Sequence, residues 1–330
     1  MSKKYRKRKI LGILFILLCI AVLYVTHNIL PYAIISRHKQ PLTITPSELN
    51  LQAEAASFTS FDSLNLKGYW ILPENEQPTT VMLLLHGIGG GKEHFYELAG
   101  TLAEQQIASV VYDARGHGES DGEYISYGFY EKQDVSTIVQ AAKQRYPDIP
   151  IGIWGNSMGG AVALQALAIE PKLDFGIIES TFTDLNQIVY DYQKRYSFGI
   201  GLKPICDHAL KRAGEIGGFN PQKVRPIDAV TQINQSIFLA HGTTDPNINF
   251  KYGKALFENL KTTDKTFYPV EDGNHYNLFE KGGEDYINAI MEFIQKQNTT
   301  VIHDPQSGLC LLYTSPSPRD QRGSRMPSSA

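Results

Sequence analysis

Residues 151–160 read Ile-Gly-Ile-Trp-Gly-Asn-Ser-Met-Gly-Gly. A short apolar run ends in Gly155-Asn156-Ser157-Met158-Gly159, and small and apolar residues then recur at helical spacing. This sets a G-x-S-x-G pattern between a predicted strand and a predicted helix, the context in which the pattern forms a nucleophile elbow. Backbone at the tip of so sharp a turn is strained, and side chains two residues to either side would strike the neighbouring chain. Glycine at 155 and 159 removes both collisions. The helix that follows directs its first N–H groups at charge developing beside the Ser157 hydroxyl. Taken alone, the pattern also fits a tight turn that happens to contain a serine, so the flanking segments must decide.

Upstream, Val81–Leu85 is a continuous apolar run, as a strand buried on both faces requires. It leads into His86-Gly87-Ile88-Gly89-Gly90-Gly91-Lys92. As a phosphate loop this fails: G-x-x-x-x-G-K-[ST] needs glycine at His86 and Ser/Thr at Glu93, and G-x-G-x-x-G needs glycine at Lys92. The loop fits better as one side of an oxyanion hole, offering the N–H of Ile88 opposite that of Met158; a flexible turn is the alternative. A second buried strand, Ile107–Tyr112, runs into Asp113-Ala114-Arg115-Gly116-His117-Gly118-Glu119-Ser120. Such residues at a strand end usually hold loops together, so His117 is the weaker choice for a base. Helical spacing over Tyr130–Tyr146 and a strand at Phe175–Ile178 continue an alternation that predicts a mostly parallel central sheet with helices on both faces.

The rhythm breaks over residues 183–233, which read as a small helical lid inserted at the ligand end of the sheet. It resumes with the strand Ser236–Ala240, followed by His241-Gly242-Thr243-Thr244-Asp245, a helix over 251–260, the strand Thr266–Val270, then Glu271-Asp272-Gly273-Asn274-His275 and a last helix over 284–295. Ser157, Asp245 and His275 thus stand after three predicted strands in the order nucleophile, acid, histidine. In those roles His275 takes the serine proton during attack and returns it to the leaving group, while Asp245 fixes the imidazole tautomer. Singly, Asp245 could cap the next helix, His275 could be a loop histidine, and Asp184, Asp191 and Asp272 are rival acids.

Composition limits the remaining possibilities. Residues 1–9 hold six Lys/Arg and no acid, and residues 10–304 hold 22 basic against 33 acidic side chains, a net of −11. Nucleic acid is therefore not the expected partner of the main domain. Of the three cysteines only Cys206 lies in the body, which excludes a disulfide framework and a cysteine zinc site there. The basic segment runs into Ile10–Thr26, free of charge, and a signal anchor over 10–29 follows. A cleaved signal peptide is the competing reading, but no small-residue cut site follows. The charge asymmetry puts the N-terminus in the cytoplasm and the remainder outside it, on a single-pass cell-membrane protein. Residues 30–57, polar and proline-punctuated over 37–56, read as a stalk; 58–298 as the folded domain; 305–330 as a non-native or disordered tail. Oligomeric state is not indicated.

In combination, Leu-Leu-Leu-His-Gly-Ile-Gly-Gly from 83, Tyr-Asp-Ala-Arg-Gly-His-Gly-Glu-Ser from 112, Gly-Asn-Ser-Met-Gly-Gly from 155, His-Gly-Thr-Thr-Asp from 241 and Gly-Asn-His from 273 resemble the α/β-hydrolase superfamily, in its monoacylglycerol-lipase and serine-aminopeptidase-like branch. The resemblance spans about residues 58–295 and, with the N-terminal anchor, is similar to bacterial membrane-anchored hydrolases. It implies an α/β-hydrolase fold, a triad of Ser157, Asp245 and His275, and oxyanion donors at Ile88 and Met158. One departure is Asn247-Ile248-Asn249, where the family often has valine-proline beyond the acid. The expected activity is cleavage of small or lipid-like carboxylic esters through an acyl-enzyme. A peptidase or amidase, and a non-catalytic membrane-tethered binding protein, are the alternatives. No metal or organic cofactor is expected.

Overall fold

The computed structural model describes residues 3–38, 43–75 and 77–301. The expected tail over 305–330 lies outside them. Helix α1 (Lys3–Asn28) is followed at once by the short α2 (Leu30–Ile35), the two separated at Ile29 just before Pro31. At 1.5 Å per residue the 26 residues of α1 extend about 39 Å, more than the ~30 Å of a bilayer's hydrocarbon core. Within Tyr5–Ile35 an 18-residue window reaches a mean hydropathy of 2.6, and the apolar side chains of α1 are exposed. It is a helix long and apolar enough to cross a membrane.

The described residues form one eight-stranded sheet, built from β1 (Ala53–Thr59), β2 (Asn65–Ile71), β3 (Thr80–Leu85), β4 (Ile107–Tyr112), β5 (Ile151–Asn156), β6 (Phe175–Glu179), β7 (Ser236–Gly242) and β8 (Lys265–Val270). Their order is β1-β2-β4-β3-β5-β6-β7-β8. The first two strands form an antiparallel hairpin, β2 pairs antiparallel with β4, and all later pairings are parallel. The period-two geometry of strands divides the core: Val81, Leu83 and Leu85 face one layer while Met82 and Leu84 face the other. The first layer is closed by α4 (Glu131–Arg145), α5 (Met158–Leu167) and α9 (Phe250–Asn259), the second by α3 (Tyr96–Glu104) and α10 (Leu278–Val301). Between β6 and β7 the chain is helical, as expected for 183–233, and contributes α6 (Leu185–Tyr196), α7 (Lys203–Gly217) and α8 (Pro226–Ala229).

One expectation needs correction. The described residues among 30–57, namely 30–38 and 43–57, do not form a free stalk. Ile35 is fully buried, the Ile125 N–H donates to the Ile35 carbonyl at 3.0 Å, and the His38 N–H donates to the Gly116 carbonyl at 2.7 Å. A 3₁₀ turn at Pro46–Leu49, closed by a capping box between Thr45 and Glu48, leads to Leu51, whose side chain lies where a Cβ on Gly100 would meet it at 2.8 Å. β1 then begins at Ala53, inside the segment expected to be stalk and before the expected domain boundary at 58. The prolines and polar residues that resembled a linker sit between apolar residues that pack singly, at Ile35, Ile44, Leu49 and Leu51.

Candidate active site

Ser157 sits between β5 and α5 with φ 56° and ψ −116°, a conformation that a β-substituted residue adopts only at a cost. Its surroundings impose that geometry. The Ser157 N–H donates to the Glu179 carbonyl at 2.9 Å, and the Ser157 carbonyl accepts from the Thr181 hydroxyl at 2.6 Å. A Cβ at Gly155 would lie 2.3 Å from the Gly159 carbonyl oxygen, and one at Gly159 would lie 2.0 Å from that of Leu85. Both glycines are therefore required by close backbone approach, as the motif indicated.

The structure brings the three predicted side chains together. His275 Nε2 lies 3.0 Å from Ser157 Oγ, and His275 Nδ1 lies 2.7 Å from Asp245 Oδ2. All three residues are buried. The other carboxylate oxygen, Asp245 Oδ1, accepts the N–H of Asn247 at 2.7 Å and of Ile248 at 2.9 Å. The segment that departs from valine-proline thus still supports the acid, with two backbone donors. Burial works against the charged form of Asp245, but the bond to His275 and these two N–H groups outweigh it and hold the carboxyl below the usual aspartate range.

The loop after β3 passes over the elbow, and a Cβ on Gly87 would lie 3.3 Å from Ser157 Cβ. Among the described residues, neither the Ile88 nor the Met158 N–H is taken by another acceptor. Both residues line a cavity of about 460 Å³ together with Ser157. The glycine-rich loop is not a phosphate cradle: Lys92 is buried, and its ammonium lies 2.6 Å from Asp113 and 2.7 Å from Glu119.

His117 holds its loop, as expected of residues 113–120, and His86 bonds to the same segment. His86 Nε2 accepts the Ala114 N–H at 3.0 Å, so Nδ1 carries the proton and donates to the Gly87 carbonyl at 2.8 Å. Burial, with His117 adjacent, pushes His86 down to about 3. His117 Nε2 accepts the Gly89 N–H at 3.4 Å, and its Nδ1 donates to the Arg115 carbonyl at 3.1 Å. Neither ring turns a nitrogen toward Ser157. Arg115 makes a two-point bond to buried Asp134, at 2.7 Å on each arm, and spreads over the rings of Phe61 and Tyr130. Of the rival acids, Asp184 caps α6 through the Gln187 N–H at 2.8 Å, and Asp191 bonds Tyr252. Asp272 donates its N–H to the Thr243 hydroxyl at 3.0 Å.

Three contributors escaped the sequence reading. Thr181 and the N–H pair of 247 and 248 act through local geometry that no motif marks. Leu30, Ala33 and Ile34 of α2 line the Ser157 cavity, and their only signal was an apolar stretch continuing past the anchor.

A sheet crossed in this order, with a strained serine on the turn after its fifth strand and an acid and a histidine after β7 and β8, defines an α/β-hydrolase. The family described as serine aminopeptidase, S33, matches residues 76–201. Monoglyceride lipase of Rattus norvegicus is 30% identical over 267 residues, 71% of this chain and 86% of that one. The uncharacterized protein YqkD of Bacillus subtilis is 28% identical over 239 residues, 71% of this chain and 76% of its own. An esterase of Pyrococcus furiosus has the same fold, with a TM-score of 0.66 at 22% identity over 79% of this chain and 98% of that one. The chain belongs to the α/β-hydrolases, in the branch of monoglyceride lipase and the S33 serine aminopeptidases.

Proposed function

We propose that the protein is a serine hydrolase that cleaves carboxylic esters with Ser157 as nucleophile, His275 as base and Asp245 as the acid that orients it. The observation that carries this reading is the His275 ring bridging Ser157 Oγ at 3.0 Å and Asp245 Oδ2 at 2.7 Å inside a buried site. Ser157 Oγ attacks the ester carbonyl while its proton passes to His275 Nε2. The tetrahedral oxyanion is held by the N–H groups of Ile88 and Met158. The C–O bond to the alcohol then breaks as His275 returns the proton to the leaving oxygen, leaving an acyl-serine. Water, deprotonated by the same ring, releases the acid.

A second reading, removal of amino-terminal residues from peptides, draws on the S33 family description. A free ammonium needs a carboxylate or a comparable partner once desolvated. Among the described residues lining the Ser157 cavity there is no charged side chain; Tyr127, Phe182, Leu185, Ile188 and Val189 are representative. This favours an apolar acyl group, and the monoglyceride lipase relative points the same way. Turnover of p-nitrophenyl butyrate and labelling by a fluorophosphonate decide the matter. Both should vanish in Ser157→Ala, and if both persist the reading is wrong.

The same proposal places α1 across the cell membrane with its basic end in the cytoplasm and the hydrolase domain outside. It is supported by six Lys/Arg before the apolar run and by the exposed apolar surface of α1. Protease added to intact cells or spheroplasts should digest the domain; protection of the domain together with cytoplasmic controls would reverse the orientation.

A further inference from the structure

The membrane-proximal helix and the candidate nucleophile line one cavity. Ser157, Met158, Phe182 and Leu185 form its buried floor. At its rim stand Ala33 of α2 and Tyr196 at the end of α6, both exposed, with Leu30 and Ile34 half-buried between rim and floor. The position of α2 is fixed from the hydrolase side. The Tyr127 hydroxyl donates to the Ile34 carbonyl at 2.6 Å, and residues 35–38 bond to the loop at 116–125. It is fixed from the other side by α1, which ends one residue earlier and touches α7, where the rings of His27 and His208 lie 5.5 Å apart. Next to the rim residues in the chain, exposed apolar side chains recur, Ile29 and Tyr32 beside α2 and Phe198, Ile200 and Leu202 in the α6–α7 loop, with Lys194, Arg195 and Lys203 exposed among them. Exposed apolar side chains with basic residues between them, beside the end of a helix able to cross a membrane, are suited to the bilayer interface.

We propose that α2 is a wall of the substrate pocket, so that the anchor sets the pocket mouth at the bilayer surface and Leu30, Ala33 and Ile34 select the acyl chain of a lipid ester entering from it. The proposal rests on the reading of Ser157 as nucleophile given above. The ester carbonyl sits at Ser157 on the floor, and the acyl chain runs from it along the apolar wall past α2 toward the mouth. The anchor is then part of the specificity device in addition to being a tether.

The test uses the full chain in detergent micelles, with p-nitrophenyl dodecanoate and p-nitrophenyl acetate measured on one preparation. Ala33→Phe narrows the mouth and should lower the dodecanoate-to-acetate ratio of kcat/KM about tenfold, the worth of roughly two methylenes left in water. Ala33→Val should move the ratio the same way by less. Because the ratio is taken within one sample, loss of folded protein cancels. A wild-type ratio in both variants overturns the proposal. In vesicles of phosphatidylcholine carrying monooleoylglycerol, Phe198→Asp should depress turnover while acetate hydrolysis is retained; undiminished lipid turnover overturns the bilayer-facing mouth. Failure of the nucleophile reading would look different, with Ser157→Ala still hydrolysing acetate.

Discussion

Asp245→Asn replaces one oxygen by nitrogen, and the structure fixes which one. Asp245 Oδ1 accepts N–H groups from Asn247 and Ile248 at 2.7 and 2.9 Å, so the amide oxygen of the introduced asparagine must occupy that position. The NH₂ then faces His275 Nδ1, 2.7 Å away in the wild type. A donor opposite Nδ1 drives the ring proton to Nε2. From there it points at Ser157 Oγ, 3.0 Å away, where an acceptor is needed. The serine keeps its shape and loses its base. Removing a positioned general base costs about 10²–10⁴-fold, and the wrong tautomer in a serine triad about 10⁴. The expected fall in kcat/KM is therefore about 10³–10⁴-fold, or roughly 4–5.5 kcal/mol in the barrier. Stability should change little by comparison. The depressed Asp245 carboxyl contributes stability above the ordinary aspartate pKa, and this is lost as pH falls through its lower folded value. The substitution should thus cost some Tm at neutral pH, with the gap closing on acidification. The assay is steady-state hydrolysis of p-nitrophenyl butyrate beside a melting curve at each pH. A loss below about tenfold with Tm intact would refute the tautomer argument, since it would mean His275 needs no partner to act as base.

Three further outcomes follow from the same structure. His117→Gln should keep kcat within about tenfold, because that ring bonds Gly89 and Arg115 and no reacting atom, whereas His275→Ala should lose the ~10²–10⁴ of a general base; comparable losses in the two would contradict the assignment. Gly159→Ala places a Cβ 2.0 Å from the Leu85 carbonyl oxygen, backbone against backbone, and should destabilise by more than about 3 kcal/mol in urea titrations, with near-wild-type stability the contrary result. Burial raises the Glu179 carboxyl although the Tyr286 hydroxyl bonds it. The folded chain therefore holds that proton more tightly than the unfolded chain, and stability falls as pH rises from the ordinary glutamate pKa through the folded value. Glu179→Gln removes this slope, so the variant should gain Tm on wild type between acid and neutral pH; a pH-independent difference would count against it.

The parts of the fold that were legible in the sequence are those where one physical demand acts on consecutive residues. Val81–Leu85 had to be apolar throughout because both faces of β3 are covered, and all of its side chains are buried. The elbow glycines were legible for a similar reason, since a Cβ at either would lie 2.0–2.3 Å from a backbone carbonyl oxygen. Asp245 and His275 were singled out by position at strand ends, and the structure places His275 between Ser157 and Asp245. The sequence did not reveal that Asn247 and Ile248 replace the expected valine-proline by offering two N–H groups, because a backbone donor is independent of its side chain. Thr181 was equally silent: its contribution is one hydroxyl aimed at the carbonyl of Ser157, 24 residues earlier.

Residues 30–38 were misread for a reason that bears on function. Proline and the polar residues from Ser36 onward suggested a linker, yet the apolar side chains of residues 30–35 are divided between different surfaces. Ile35 enters the core, Ile34 faces the Ser157 cavity, and Pro31 at the first turn of α2 is buried while Tyr32 is exposed. No period emerges when successive residues serve the core, the pocket and the surface in turn. A true stalk would leave the hydrolase free to turn beneath its tether. Here the hydrogen bonds joining Tyr127, Ile125 and Gly116 to residues 34–38 attach the segment that follows the N-terminal apolar helix to the loops beside Ser157. A flexible glycine-serine spacer placed between Ile29 and Leu30 would retain both the pocket wall and the membrane span while releasing their relative orientation. If that orientation matters, the spacer should lower turnover of vesicle-borne ester and leave soluble acetate turnover unchanged; equal rates on both would reduce the anchor to a tether.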